Sequence, residues 1–252
     1  MPNRTTVHPQ LDGGEVARTA ARLSQRVTER FPETSLAKVS TTIHRICANA
    51  PQQIEELARP IWMLRSVSLS IGCFVLMLLL YLMLGGVEWS RFTLPNTFSS
   101  FIGLLEPALG SVVFLTAFFV FVGSLEQRWK QRRVLQALNG LRSLAHVIDM
   151  HQLTKDPERL MLTGPDTASS PERTFTAFQL GRYLDYCSEM LSILSKLSAL
   201  WAQGFPEPRL VTAVDQIEML TSGLSRKIWQ KLMVLEAIPD TLTVKDAIDP
   251  GA

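Results

Sequence analysis

The sequence predicts an all-α membrane protein: a two-helix transmembrane hairpin that carries a cytoplasmic helical bundle or coiled-coil-like hairpin. Three observations predict it. Two uncharged apolar runs of 18 residues, Val67 to Leu84 and Ala108 to Leu125, lie mid-chain. Basic residues crowd the outer flanks of that pair and are sparse between them. Outside the runs, apolar residues recur at three- and four-residue spacing, the period of a helix with one buried face.

The runs come first because lipid sets the strictest limits. At about 1.5 Å rise per residue, 18 helical residues span roughly 27 Å, close to the ~30 Å hydrocarbon thickness of a bilayer. Each run holds 11 residues of Leu, Ile, Val or Phe. On an insertion scale these gain roughly 3 to 6 kcal/mol per run. A buried hairpin of a soluble protein would keep a polar stripe, and neither run has one. The expected helices cover about 61–84 and 101–125, within a hairpin spanning 61–125. Pro60 suits a first helical turn, where its missing N–H removes no bond.

Charge then sets orientation. Arg45, Arg59 and Arg65 lead into the first run, and Arg128, Lys130, Arg132 and Arg133 follow the second. Between the runs, Gly85 to Pro107 carries one basic residue, Arg91. Basic flanks stay inside, so a multi-pass protein of the cell inner membrane is expected, with both termini cytoplasmic. The cluster at Arg128, Lys130, Arg132 and Arg133 also faces the membrane surface, where each cation attracts anionic lipid by about 1 kcal/mol.

Residues 1–60 are expected to form short amphipathic helices after a loose start through Gly14. Val16, Ala20, Leu23 and Val27 set the inner face of the first, which ends before Pro32. Leu36, Val39, Ile43 and Ile46 set the second, and Pro51 opens a third short piece with Ile54 and Leu57. Residues 126–153 extend the second membrane helix, with a seam of Leu135, Leu138, Leu141, Ala145 and Ile148 for a partner helix. Gly140 is its weak point, since Gly costs about 1 kcal/mol in a helix interior. Residues 154–171 read as a linker. Ser170, Pro171 and Glu172 signal a helix start, so 172–238 form an antiparallel helical hairpin folded at Gly204–Pro206. Its seams are Leu180, Leu184, Cys187, Leu191, Leu194 and Trp201, then Val214, Ile217, Leu224, Ile228 and Leu235. Residues 239–252 read as a flexible tail.

Composition narrows the function classes. The net charge is +2, which argues against nucleic-acid binding. Cys47, Cys73 and Cys187 are isolated and read as structural. No phosphate-binding Gly loop, nucleophile elbow or zinc-protease motif occurs, so no catalytic residue is assigned and no cofactor is expected. Glu106 precedes the second run and has two readings: a carboxylate at the interface, with Pro107 opening the helix proper, which is the expected one, or an ion-coupling group, since charge within a membrane is costly and serves a purpose. Gly103, Gly110, Ala117 and Ser124 repeat every seven residues, a smooth seam for close helix approach. His146 and Asp149 share a helical face, and with Asp185, Glu189, Asp215 and Glu218 could build a carboxylate-bridged metal site. The paired Glu-x-x-His signature of such sites is missing, so no metal is expected.

These features imply a non-enzymatic membrane protein whose cytoplasmic helices mediate self-association or bind a protein partner. The alternative is an oligomeric ion-conducting or membrane-permeabilising protein with Glu106 near the outer mouth.

Overall fold

The computed structural model describes residues 10–60, 62–81, 98–157, 168–169 and 175–237, except for the side chains of 63–65, 68, 76, 79–80, 98–108 and 111. The described residues form six helices and no strand. These are α1 (Gly13–Arg30), α2 (Ser35–Ala58), α3 (Trp62–Tyr81), α4 (Phe98–Leu153), α5 (Ala177–Gly204) and α6 (Pro208–Glu236). They sort into two units, one of Met1–Ala58 with Val134–Ala252 and one of Arg59–Arg133.

The first unit is a helical bundle of α1, α2, α5, α6 and the last five turns of α4. α1 and α2 turn back on each other at Phe31–Thr34, where Glu33 takes a left-handed φ of 58°. The buried face of α1 is Val16, Ala20, Leu23 and Val27, the expected four. On α2 the stripe is Leu36, Ser40, Ile43, Cys47 and Ala50. Leu36 and Ile43 are buried as expected, while Ser40 and Cys47, each one position on, are buried in place of Val39 and Ile46, which are half-buried. Ser24 and Ser40 are buried face to face, with Ser40 Oγ donating to the Ala37 carbonyl at 2.8 Å.

Cross-contacts give the helix directions. Arg26 of α1 pairs with Glu189 of α5, while the backbone N–H of Leu11 donates to Gln203 Oε1 at 3.0 Å. Early α1 therefore meets late α5, and the two run antiparallel. At the other end Phe31 stands edge-on to Phe175, Tyr183 and Tyr186. α5 and α6 form the expected antiparallel pair, folded between Gly204 and Pro208.

Every residue of the α5 seam is buried, as are Val214, Ile217, Leu224 and Ile228 on α6. On α4 the buried stripe is Val134, Leu138, Leu141, Ala145, Ile148 and Gln152. The periodicity is therefore the core of one chain. The α4 seam expected to await a partner helix is closed by the bundle's own helices.

Four expectations about local boundaries change. Gly13 and Gly14 begin α1 instead of preceding it, because the Asp12 carboxylate caps the helix by accepting from the Gly14 N–H at 2.8 Å. Pro51 does not start a helix; α2 runs through it to Ala58. Burial of Cys47 and Ala50 before it, and packing of Ile54 and Leu57 after it, outweigh the one lost backbone bond. Pro60 lies before α3, which is described from Trp62. α5 starts at Ala177 because Thr176 and Gln179 form a reciprocal capping box, and Ser170–Glu172 fall outside the described residues.

The second unit pairs α3 with the first part of α4. Lys130 Nζ donates to the Arg59 carbonyl at 2.8 Å, and a Cβ placed on Gly72 would lie 3.7 Å from the Phe119 ring. Numbers rise along one helix as they fall along the other, so the two are antiparallel. Among the described residues one helix, α4, is long and apolar enough to cross a membrane, and none of its apolar window is buried. The turn expected between the helices lies outside the described residues, as do the linker core at 158–167 and the tail at 239–252.

Candidate functional site

Three places carry chemistry. The first is the junction of the apolar stretch of α4 with its basic cluster. Val112, Val113 and Phe114 are consecutive and all exposed, Phe114 at 75 %. Leu115, Phe118, Phe119 and Val122, at helical spacing, are only partly exposed and include the Phe119 ring beside Gly72, while apolar residues also cover the outward side of the helix. Gly110 and Gly123 have open space where a Cβ would be, Ala117 is exposed, and Ser124 donates to the Phe121 carbonyl at 2.8 Å. Of the described seam members, Gly110 and Ala117 are exposed and Ser124 is half-buried, while α3 meets α4 through its own Gly72. Gly103 and Glu106 lie within α4, with side chains outside the described residues.

The basic cluster divides. Lys130 has a side chain only 16 % exposed, because its ammonium donates to Glu126 Oε1 as well as to the Arg59 carbonyl, both at 2.8 Å. Arg128, Arg132 and Arg133 are exposed. The Arg128 guanidinium lies 5.8 Å over the Phe121 ring and that of Arg133 lies 5.0 Å over Trp129. Such cation–π contacts orient a guanidinium while leaving its N–H donors unused.

The second place is the polar end of α4. Gln152 Nε2 donates to Asp149 Oδ1 at 2.6 Å, and His151 Nδ1 lies 3.4 Å from Ser35 Oγ. Lys231 of α6 donates to the carbonyls of Gln152 at 2.8 Å and Lys155 at 3.2 Å. A cation on those carbonyls complements the negative end of the helix dipole. Burial lowers the Lys231 pKa, while Asp156 and Asp149 pull it back up. Burial also lowers the His151 pKa. Lys155 sits 4.2 Å over the Phe175 ring. His146 is exposed, and among the described residues no three His, Cys, Asp or Glu side chains converge as a metal site. The arrangement is a helix C-cap, and its central residue, Lys231, is one the sequence reading passed over. Nothing in local spacing announces a lysine that reaches a helix end from 76 positions away.

The third place is a groove of about 480 Å³ between α2 and α4. Ile46, Ala137, Leu141, Leu144, Val147 and Trp201 supply apolar lining, and Gly140 leaves a gap with no atom within 4 Å of a built Cβ. Thr42, Arg45, Asn49, Gln53, Gln136 and Ser143 form a polar edge. Trp201 is 2 % exposed and its indole N–H has no acceptor. Local spacing puts Trp201 in the core seam and Gly140 at a weak point of its helix. Only the fold brings the two beside α2.

No family model matches the chain, and neither a curated protein nor a solved structure is significantly similar to it.

Proposed function

We propose that this chain is a non-enzymatic integral membrane protein of the inner membrane. The α3–α4 pair is its transmembrane hairpin, both termini are cytoplasmic, and the bundle binds a protein partner or a second copy. The groove between α2 and α4 carries the reading. An apolar floor inside a polar edge is the anatomy of a protein interface, and a channel between two helices suits an amphipathic helix. The heptad-like seams cannot serve that purpose, since they are already buried within the chain.

The test is crosslinking in native membranes, comparing the wild-type chain with Gly140→Leu. A side chain can start there without a clash, because a Cβ at Gly140 meets nothing, and Leu adds apolar bulk at the groove wall. The expected result is a defined crosslinked species that is lost in the variant. A monodisperse monomer that captures no protein overturns the reading. Reporter tags at the two ends check the anchor, and tags on opposite faces would overturn the hairpin.

A further inference from the structure

We infer that Arg128, Arg132 and Arg133 form a seat for the phosphate head of an anionic phospholipid, and that Lys130 is not part of it. This rests on the proposed membrane hairpin and names which side chains meet which lipid. Three observations carry it. Within six residues four cations follow the apolar stretch, yet one of them is internally satisfied by Glu126 and the Arg59 carbonyl. The three guanidiniums are exposed, and the contacts seen at two of them are ring faces, which leave the donor forks open. The ring partners, Phe121 and Trp129, are themselves half-exposed on the same stretch of α4.

Arg128 and Arg132 are four apart and so share a helical face with Phe121; Arg133 shares the next face with Trp129. The amphipathic ring of Trp129 suits the polar boundary of a bilayer, which sets the neighbouring guanidiniums at the headgroup level. Guanidinium donors match phosphate oxygens two at a time, where an ammonium offers only a point charge. The occupant is a membrane phospholipid and not a free phosphate ester, because the exposed apolar surface of α4 adjoins the seat and receives the acyl chains.

The full chain, reconstituted in nanodiscs of phosphatidylcholine with 20 mol % spin-labelled phosphatidylglycerol, tests this by the immobilised lipid fraction. The expected outcome is enrichment of phosphatidylglycerol over spin-labelled phosphatidylcholine. The enrichment should fall about threefold or more in the Arg128→Gln/Arg132→Gln/Arg133→Gln variant and hold in Lys130→Gln. Glycerol phosphate added in solution should not displace the label. Equal loss in Lys130→Gln, displacement by glycerol phosphate, or no enrichment in the wild type would overturn the seat. If the chain fails to insert into the discs, the membrane reading itself fails. If the triple variant does not insert, Arg132→Gln alone decides, since Arg132 is exposed.

Discussion

At the residue scale, burial fixes the chemistry of the two bundle cysteines. Cys47 and Cys187 are 1 % and 0 % exposed, and burial pushes both thiols from 9.0 to about 12. Between those values the unfolded chain gives up protons that the folded chain keeps. Stability is therefore intact below pH 9 and falls as pH rises toward 12, by about 1.4 kcal/mol per pH unit per thiol. Lys231 and Lys155 act oppositely, because burial lowers their folded pKa and so favours the fold as pH rises through that lowered value. Comparing a thiol variant with wild type separates the effects. The thermal midpoint of Cys187→Ala should depend less on pH between 9 and 11 than that of wild type. An unchanged slope would mean the thiol titrates normally in the fold. The sequence reading of both cysteines as structural rested on isolation from partners. Their titration was not legible, because it depends on neighbours from other helices.

At the element scale, helix ends separate what the sequence states locally from what tertiary contact decides. The capping box at α5 is local. Thr176 Oγ1 accepts from the Gln179 N–H at 3.2 Å and Gln179 Oε1 from the Thr176 N–H at 3.0 Å. Its Thr-x-x-Gln spelling stood in the sequence, but the Ser-Pro-Glu signal six residues earlier drew the boundary first. Thr176→Ala should cost about 1 kcal/mol and speed hydrogen exchange in the first turn of α5. No change in exchange there would deny the cap its role.

Pro51 is the opposite case. A proline more than four turns into a helix reads as a break, and the sequence offers nothing to oppose that. The opposing term is packing. A Cβ on Gly13 would lie 2.8 Å from Pro51 Cγ and 3.1 Å from Leu200 Cδ2, so the start of α1 is seated against the proline ring. Gly13→Ala should therefore destabilise the chain, although alanine favours a helix by about 1 kcal/mol. In a Pro51→Ala background the ring is gone, and the same change should be less harmful. The Leu200 contact sets how much penalty remains. A double-mutant cycle on unfolding midpoints measures the coupling, and additive effects would show that the contact is not felt.

At the scale of the whole molecule, periodicity proved legible and allegiance did not. The three- and four-residue spacing located the long helices, and almost every seam residue on α5 and α6 is buried. Spacing alone cannot say whether a seam faces the same chain or another one. On α4 the stripe from Leu138 to Ile148 reads as a vacant coiled-coil edge, yet it is buried in the core of its own chain. The proposed partner site therefore rests on a surface with no periodic signature, the groove lined by Ile46, Leu144 and Trp201. Metal donors obey the same limit: a shared helical face for His146 and Asp149 does not bring donors from other helices, and among the described residues no three converge.

The basic cluster shows why counting cations at a membrane flank is coarser than resolving their contacts. Topology by the positive-inside rule depends on charge number near the end of a span, whereas headgroup binding depends on which donors are unoccupied. Lys130 counts fully for the first and is withdrawn from the second by Glu126 and the Arg59 carbonyl. Two separable phenotypes follow under the proposed hairpin. Lys130→Gln should loosen the tie between α3 and α4, lowering the thermal midpoint while leaving both termini inside. Replacing Arg128, Arg132 and Arg133 with Gln should leave that tie in place and instead produce a mixed population with some termini outside. Reporter activity at each terminus, read beside the thermal midpoint in detergent, checks both. If Lys130→Gln mixed the topology as strongly as the triple change without altering the midpoint, Lys130 would be one more flanking charge and its internal bonds would have no energetic meaning.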